Sequence, residues 1–240
     1  MPRRRSAPVD VDAEEALGLA TAQSENVFLF VPNLIGYARI ILAGFSLHFM
    51  SYHPIYCTIL YCVSCLLDAV DGQAARALGQ SSKFGAVLDM VTDRCTTSCL
   101  LCYLSAAYPD FALGFQLLIS LDFASHYMHM YSSLVTGSSS HKDINDDVSK
   151  ILGWYYTNKV NLFLVCGGNE VFYVALYLMK WTSKPAGFPV WPELTYAELL
   201  ALLTLPVCVV KNIINVVQLW KASKILVGVD IAERKKKRKA

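Results

Sequence analysis

Charge is scarce in this chain. Asp, Glu, Lys and Arg make up 17% of its 240 residues, against about a quarter in ordinary soluble domains. With 55% apolar residues, that shortage excludes a charge-rich disordered chain and gives the balance of a polytopic membrane protein. An apolar run is also missing from the first residues, which are polar and mixed in charge from Arg3 to Glu15, so no cleavable signal peptide is expected. No internal repeat is evident. The eight cysteines all lie in apolar segments. Two C-x-x-C spacings, Cys62 with Cys65 and Cys99 with Cys102, lack the histidine and loop context of a zinc site. Polarizable packing residues are the reading for these thiols.

Six apolar stretches are present: roughly Leu34–Phe49, Ile55–Leu67, Val87–Tyr108, Phe111–Leu134, Val160–Met179 and Leu199–Trp220. The second falls short of the ~20 residues that span a bilayer unless its helix runs on through Asp68. These stretches predict an all-α integral membrane protein of six transmembrane helices. The layout is a disordered cytosolic extension over 1–25, a six-helix domain over 26–222 and a basic cytosolic tail over 223–240. A short amphipathic juxtamembrane segment around Val27–Phe30, broken at Pro32 and Asn33, leads into the first span.

Basic residues alternate between connections. Arg3 to Arg5 precede the first span, Arg76 and Lys83 fall between the second and third, and Lys142, Lys150 and Lys159 follow the fourth. The positive-inside rule places both termini and the 68–93 segment in the cytosol, with Lys180 and Lys184 dissenting mildly. The run Arg234–Lys239 is a solvated tail attracted to anionic headgroups, with no nucleic-acid role. Lys236 and Lys237 match a dilysine pattern for endoplasmic-reticulum retrieval. Trp154, Tyr155, Tyr156, Trp181, Trp191 and Trp220 cluster near span ends, as an interfacial aromatic belt requires.

Against this apolar background stand Asp68, Asp71, Asp89 and Asp93, in the pattern D-x-x-D-G-x-x-A-R, eight residues, then G-x-x-x-D-x-x-x-D. On a helix each pair shares one face. Four bare carboxylates near mid-bilayer would cost on the order of 10 kcal/mol, from about 2.5–3.5 kcal/mol each. Divalent cations offset that cost, and hard ions such as Mg²⁺ or Mn²⁺ prefer carboxylate oxygens and phosphates. A two-metal site is predicted, serving an in-line displacement at phosphorus. Gly72 and Gly85 allow close approach. Arg76 suits bidentate phosphate recognition, or else pairs with Asp71. Ser81 and Ser82 offer turn chemistry or ligand contact. Asp93, last of the set, is the candidate general base as well as a metal ligand.

Asp68, Asp71, Gly72, Ala75, Arg76, Gly85, Asp89 and Asp93 match every fixed position of the CDP-alcohol phosphotransferase signature. By these residues the chain resembles that family. The stretches NVFLFVPNLIGYARI from Asn26, FGAVLDMVTDRC from Phe84, SLDFASHYMHMYSSLVTGSSSHK from Ser120 and GNEVFY from Gly168 resemble its phosphatidylinositol synthase branch in eukaryotes. The resemblance implies a homodimeric, six-helix enzyme of the endoplasmic reticulum that takes CDP-diacylglycerol and myo-inositol to phosphatidylinositol and CMP, with Mg²⁺ or Mn²⁺. It implies Asp68, Asp71, Asp89 and Asp93 as metal ligands, Asp93 as proton acceptor, and Gly72, Arg76 and Ser82 as contacts to CDP-diacylglycerol.

The signature does not select the acceptor alcohol. Neutral inositol calls for hydroxyls, amides and carboxylates, whereas a phosphorylated acceptor calls for clustered Arg and Lys. Asp122, His126 and His129 on one face of the fourth span, and Asn169 with Glu170 in the fifth, are the acceptor-pocket candidates. Interhelical hydrogen bonding is the alternative for each. Arg39 in the first span either faces the nucleotide or pairs with an acidic residue. Two further readings stand beside this one: a sibling enzyme using glycerol phosphate, serine or choline, and a divalent-cation transporter.

Overall fold

A computed structural model describes residues 11–21, 26–136, 155, 158–187 and 193–238. Arg3 to Arg5, the loop carrying Lys142 and Lys150, and Trp154, Tyr156 and Trp191 lie outside the described residues. Helix is the only regular structure among those described. In chain order the helices are α1 (Ala13–Thr21), a 3₁₀ turn (Val27–Leu29), α2 (Val31–Phe49), α3 (Pro54–Ala77), α4 (Lys83–Ala107), a second 3₁₀ turn (Pro109–Phe111), α5 (Ala112–Thr136), α6 (Lys159–Met179) and α7 (Tyr196–Lys237). Three of them, α3, α6 from Val160 and α7, are long and apolar enough to cross a membrane. The chain forms two units, Met1–Thr96 and Thr97–Ala240, and the boundary falls within α4.

Two departures from the sequence reading concern the N-terminal side. The leader, expected to be disordered throughout, contains α1, whose strong helix formers follow Asp12; the Glu15 N–H donates to Asp12 Oδ1 at 2.8 Å, an N-cap bond. Pro32, expected to break the chain ahead of the first span, instead lies in the first turn of α2, where a missing N–H costs nothing. At the other end, the basic tail is no separate segment: α7 continues through it to Lys237. Lysine and arginine in that last turn face the negative end of the helix dipole.

In the first unit α2 packs along α3. The buried stripe of α2 is Gly36, Arg39, Ala43 and Ser46, and that of α3 is Cys57, Tyr61, Ser64 and Asp71. Both repeat at steps of three and four, so each stripe lies on one face. Small residues let the backbones close, and hydroxyls tie them: Ser64 Oγ donates to the Arg39 carbonyl at 3.1 Å, and Ser46 Oγ to the Cys57 carbonyl at 2.9 Å. One charged residue sits in each stripe, Arg39 and Asp71. Helix α3 ends on Gly79 at φ 66°, with the Gln80 N–H returning to the Ala75 carbonyl at 3.0 Å, a left-handed stop that suits glycine. Gln80 Oε1 then accepts the otherwise unpaired N–H of Val31 at 2.9 Å, which ties the start of α2 to the turn between α3 and α4.

In the second unit α7 packs against both α5 and α6. A capping box opens α7: Thr195 Oγ1 accepts from the Glu198 N–H at 3.2 Å, and Glu198 Oε2 accepts from the Thr195 N–H at 2.8 Å. Its buried face carries Lys211, Asn215 and Gln218 among small and apolar residues. Both units expose many large apolar side chains and bury several charged and amide ones. Ile41, Ile55, Leu66, Leu202 and Leu203 are at least 59% exposed, while Arg39, Lys211, Asn215 and Gln218 are at most 4% exposed. Apolar side chains outside and polar ones inside is the arrangement that hydrocarbon surroundings favour.

Candidate active site

The predicted carboxylates converge in the first unit. The five residues between Ala77 and Lys83 bring the end of α3 beside the start of α4. Asp68 and Asp71 lie within the last three turns of α3, and Asp89 and Asp93 within the first three of α4. All four meet one side chain, Arg39 of α2. Its Nη1 donates to Asp71 Oδ2 and Asp89 Oδ1 at 2.7 Å each. Its Nη2 donates to Asp93 Oδ1 and forms an ion pair with Asp68 Oδ1 at 2.7 Å. Arg94 Nη2 approaches the other oxygen of Asp93 at 3.4 Å.

The cluster is open on one side. The side chain of Arg39 is 3% exposed and that of Asp71 9%, whereas those of Asp68 and Asp89 are 41% and 45% exposed. A spacing of three puts Asp68 and Asp71 about 60° apart around α3, so one continues the buried stripe and the other flanks it. Ligand oxygens of Asp68, Asp71 and Asp89 lie within 4.8 Å of one another. Such an all-oxygen set fits a hard divalent cation. Electrostatics agree, because two arginines among four carboxylates leave excess negative charge. The guanidinium of Arg39 also shows that a cation is accommodated there.

Next to the carboxylates is a cleft lined by Asp71, Gly72, Arg76, Ser82, Gly85 and Asp89, together with Asn33 and Gly36 of α2. It therefore contains all three residues matched to CDP-diacylglycerol contacts. Arg76 is exposed and lies over Gly72: a Cβ built on that glycine would be 3.4 Å from Arg76 Nη1. The alternative of an Arg76–Asp71 pair is not adopted, since Asp71 pairs with Arg39. Ser82 caps α4, its Oγ accepting from the Gly85 N–H at 2.9 Å, which leaves its hydroxyl proton to donate elsewhere. Ser81 Oγ is 3.4 Å from the Ala75 carbonyl, a turn role. Gly85 has a steric requirement: its Cβ would stand 2.6 Å from Asn33 Oδ1 and 3.0 Å from Ser82 Oγ.

The acceptor-pocket candidates belong to the second unit. His126 Nδ1 lies 2.8 Å from the Asp122 carbonyl and 3.5 Å from Asp122 Oδ1. Asn215 Nδ2 reaches Asp122 Oδ1 at 3.4 Å, and Lys211 Nζ donates to Asn215 Oδ1 at 2.7 Å. Asn169 Nδ2 is 3.5 Å from Glu170 Oε1, which accepts from Thr97 Oγ1 at 3.0 Å. His129 contributes its carbonyl to Ser132 and Ser133 at 2.9 Å each. Asp122 and His126 are thus brought together. Lys211 and Asn215 were missed in the sequence reading. The available signal was their spacing of four inside the sixth apolar stretch, since a lysine within a span needs a partner.

The chain belongs to the CDP-alcohol phosphatidyltransferase family, whose model matches residues 29–210. Its relatives include CDP-diacylglycerol--inositol 3-phosphatidyltransferase of Schizosaccharomyces pombe, 52% identical over 93% of this chain and 99% of the relative. The protein of that name from Homo sapiens is 46% identical over 89% of this chain and 99% of its own length. The Saccharomyces cerevisiae protein is 43% identical over 90% and 94%. No solved structure matches significantly.

Proposed function

We propose that this protein transfers the phosphatidyl group of CDP-diacylglycerol to myo-inositol and releases CMP. The observation that carries this reading is the gathering of Asp68, Asp71, Asp89 and Asp93 around one buried arginine, beside a cleft that holds Gly72, Arg76 and Ser82. Relatives similar over nearly the whole chain bear the name of that activity.

Asp68, Asp71 and Asp89, with Asp93, are the residues to hold Mg²⁺ or Mn²⁺ at a two-metal site. When bound, such ions supply charge neutralisation for the pyrophosphate and its departing CMP. Arg76, uncommitted at the cleft wall, anchors phosphate oxygens through its planar fork. Gly72 keeps the wall low beneath that guanidinium, and the hydroxyl of Ser82 is a donor to the headgroup. Asp93 accepts the proton of an inositol hydroxyl. The freed oxygen forms a bond to the phosphorus carrying diacylglycerol, and the bond from that phosphorus to CMP breaks. Orientation and proximity of these groups supply most of the acceleration expected for phosphoryl chemistry.

The six long helices, α2 to α7, are read as six spans in a homodimer of the endoplasmic-reticulum membrane, with termini and cleft in the cytosol. The orientation follows the alternation of basic connections, and the homodimer and its membrane follow what the family resemblance implies. Acyl chains then stay in the bilayer while inositol and CMP exchange with the cytosol. Asp122, His126 and Asn169 remain the candidates for the acceptor pocket. Purified protein should incorporate labelled inositol into lipid only with CDP-diacylglycerol and added Mn²⁺ or Mg²⁺. Incorporation of glycerol phosphate, serine or choline in place of inositol would assign a sibling activity. Metal flux into vesicles without lipid synthesis would assign a transporter.

A further inference from the structure

Arg39 lies outside the eight matched signature positions, yet it makes more ionic contacts than any other residue described here. Each terminal nitrogen reaches two carboxylates, so that one oxygen of every aspartate in the cluster is committed to it. Its Nε is buried without a hydrogen-bond partner. The side chain is therefore held almost wholly by the aspartates. Its backbone is fixed separately, through the bond from Ser64 Oγ to the Arg39 carbonyl.

Two physical points bear on what such a residue does. Guanidinium contacts of 2.7 Å hold oxygens farther from the central charge than the ~2.0–2.1 Å of a magnesium site. Ligand oxygens of Asp68, Asp71 and Asp89 lie within 4.8 Å of one another, close enough together to be drawn onto a small ion. One oxygen of each aspartate already lies against the guanidinium, and those are oxygens that an ion would also draw on. The same oxygens cannot serve both cations at full strength.

We propose that Arg39 is an internal counter-ion that exchanges with the divalent cations: the four carboxylates bond either to its guanidinium or to metal. Arg39 is then a positioning residue. It keeps the acidic helix ends of α3 and α4 gathered beside α2, and it lowers metal affinity by the work of displacing it. This inference rests on the metal-site reading of the proposed function and states how that site is regulated.

Mn²⁺ titration of full-length protein in detergent, followed by the electron-paramagnetic signal of free Mn²⁺, tests it without an activity assay. Arg39→Gln should bind Mn²⁺ about tenfold more tightly than the unsubstituted protein, and Arg39→Lys, a point charge without the fork, by a smaller factor. Thermal unfolding should show Arg39→Gln melting earlier in EDTA and regaining more stability from Mn²⁺, since binding to the folded state alone stabilises it by mass action. If Arg39→Gln folds only when purified with Mn²⁺, the exchange is supported. Equal or weaker Mn²⁺ binding in both variants would overturn it and leave Arg39 a strut. Absence of any stoichiometric Mn²⁺ binding by the unsubstituted protein would instead overturn the metal-site reading beneath it.

Discussion

Gly85→Ala adds one methyl group at the start of α4, four residues before Asp89, and its consequence is calculable. The new Cβ would lie 2.6 Å from Asn33 Oδ1 and 3.0 Å from Ser82 Oγ. Neither neighbour is free to retreat. Asn33 is 1% exposed and its Nδ2 donates to the Val27 carbonyl at 2.6 Å, while Ser82 caps the same turn through the Gly85 N–H. Overpacking of this kind costs about 1–3 kcal/mol, and a displaced Asn33 forfeits a hydrogen bond that contributes about 1 kcal/mol. Against this, alanine gains about 1 kcal/mol over glycine in helix propensity. The net expectation is a loss of about 1–3 kcal/mol. Activity should suffer more than stability, because α4 carries Asp89 and Asp93 and a misplacement near 1 Å costs roughly 100-fold. Gly44→Ala in α2 is the control, since nothing lies within 4 Å of its Cβ; it should be neutral or stabilising. Thermal unfolding and inositol incorporation on both variants decide the matter. A Gly85→Ala protein with normal melting and normal turnover would refute the steric argument.

Asp93→Asn should abolish inositol incorporation while Mn²⁺ binding, measured by paramagnetic resonance, persists through the other three carboxylates. Arg76→Ala should raise the KM for CDP-diacylglycerol by about tenfold, the weight of a phosphate contact of about 1.4 kcal/mol, with Mn²⁺ affinity unchanged; Arg76→Lys should recover only part of it. Lys211→Met removes the donor to Asn215 Oδ1, the amide that reaches Asp122, and should lower the melting temperature; combining it with Asp122→Asn should cost less than the two separately, a coupling read from a double-mutant cycle. Asp122→Asn and Asn169→Ala should raise the KM for inositol if those residues line the acceptor pocket, and an unchanged KM in both would remove them from it.

Much of the site was legible because its signals are local. A spacing of three or four residues states that two side chains share a helical face whatever the rest of the molecule does. Thus Asp68 with Asp71, Asp89 with Asp93, and the glycine and arginine between them identify two acidic faces and a short connection. The six apolar stretches all became helices, with ends shifted where local chemistry outweighed hydropathy: Pro32 opened α2, Gly79 closed α3, and basic residues extended α7. Within the leader, Ala13–Thr21 is helical, with alanine and leucine as strong helix formers behind the Asp12 cap.

By itself, then, the sequence determined that acidic faces exist on neighbouring helices in an apolar chain, since periodicity is a property of one helix. Only tertiary structure decided that Asp71 faces inward while Asp68 and Asp89 stay open, and that Arg39, thirty-two residues ahead of Asp71, stands among all four carboxylates. It likewise decided that Lys211 reaches Asp122 through Asn215. Those outcomes depend on how helices rotate against one another when small-residue stripes close, a choice that compares packing between distant segments and has no counterpart in local spacing.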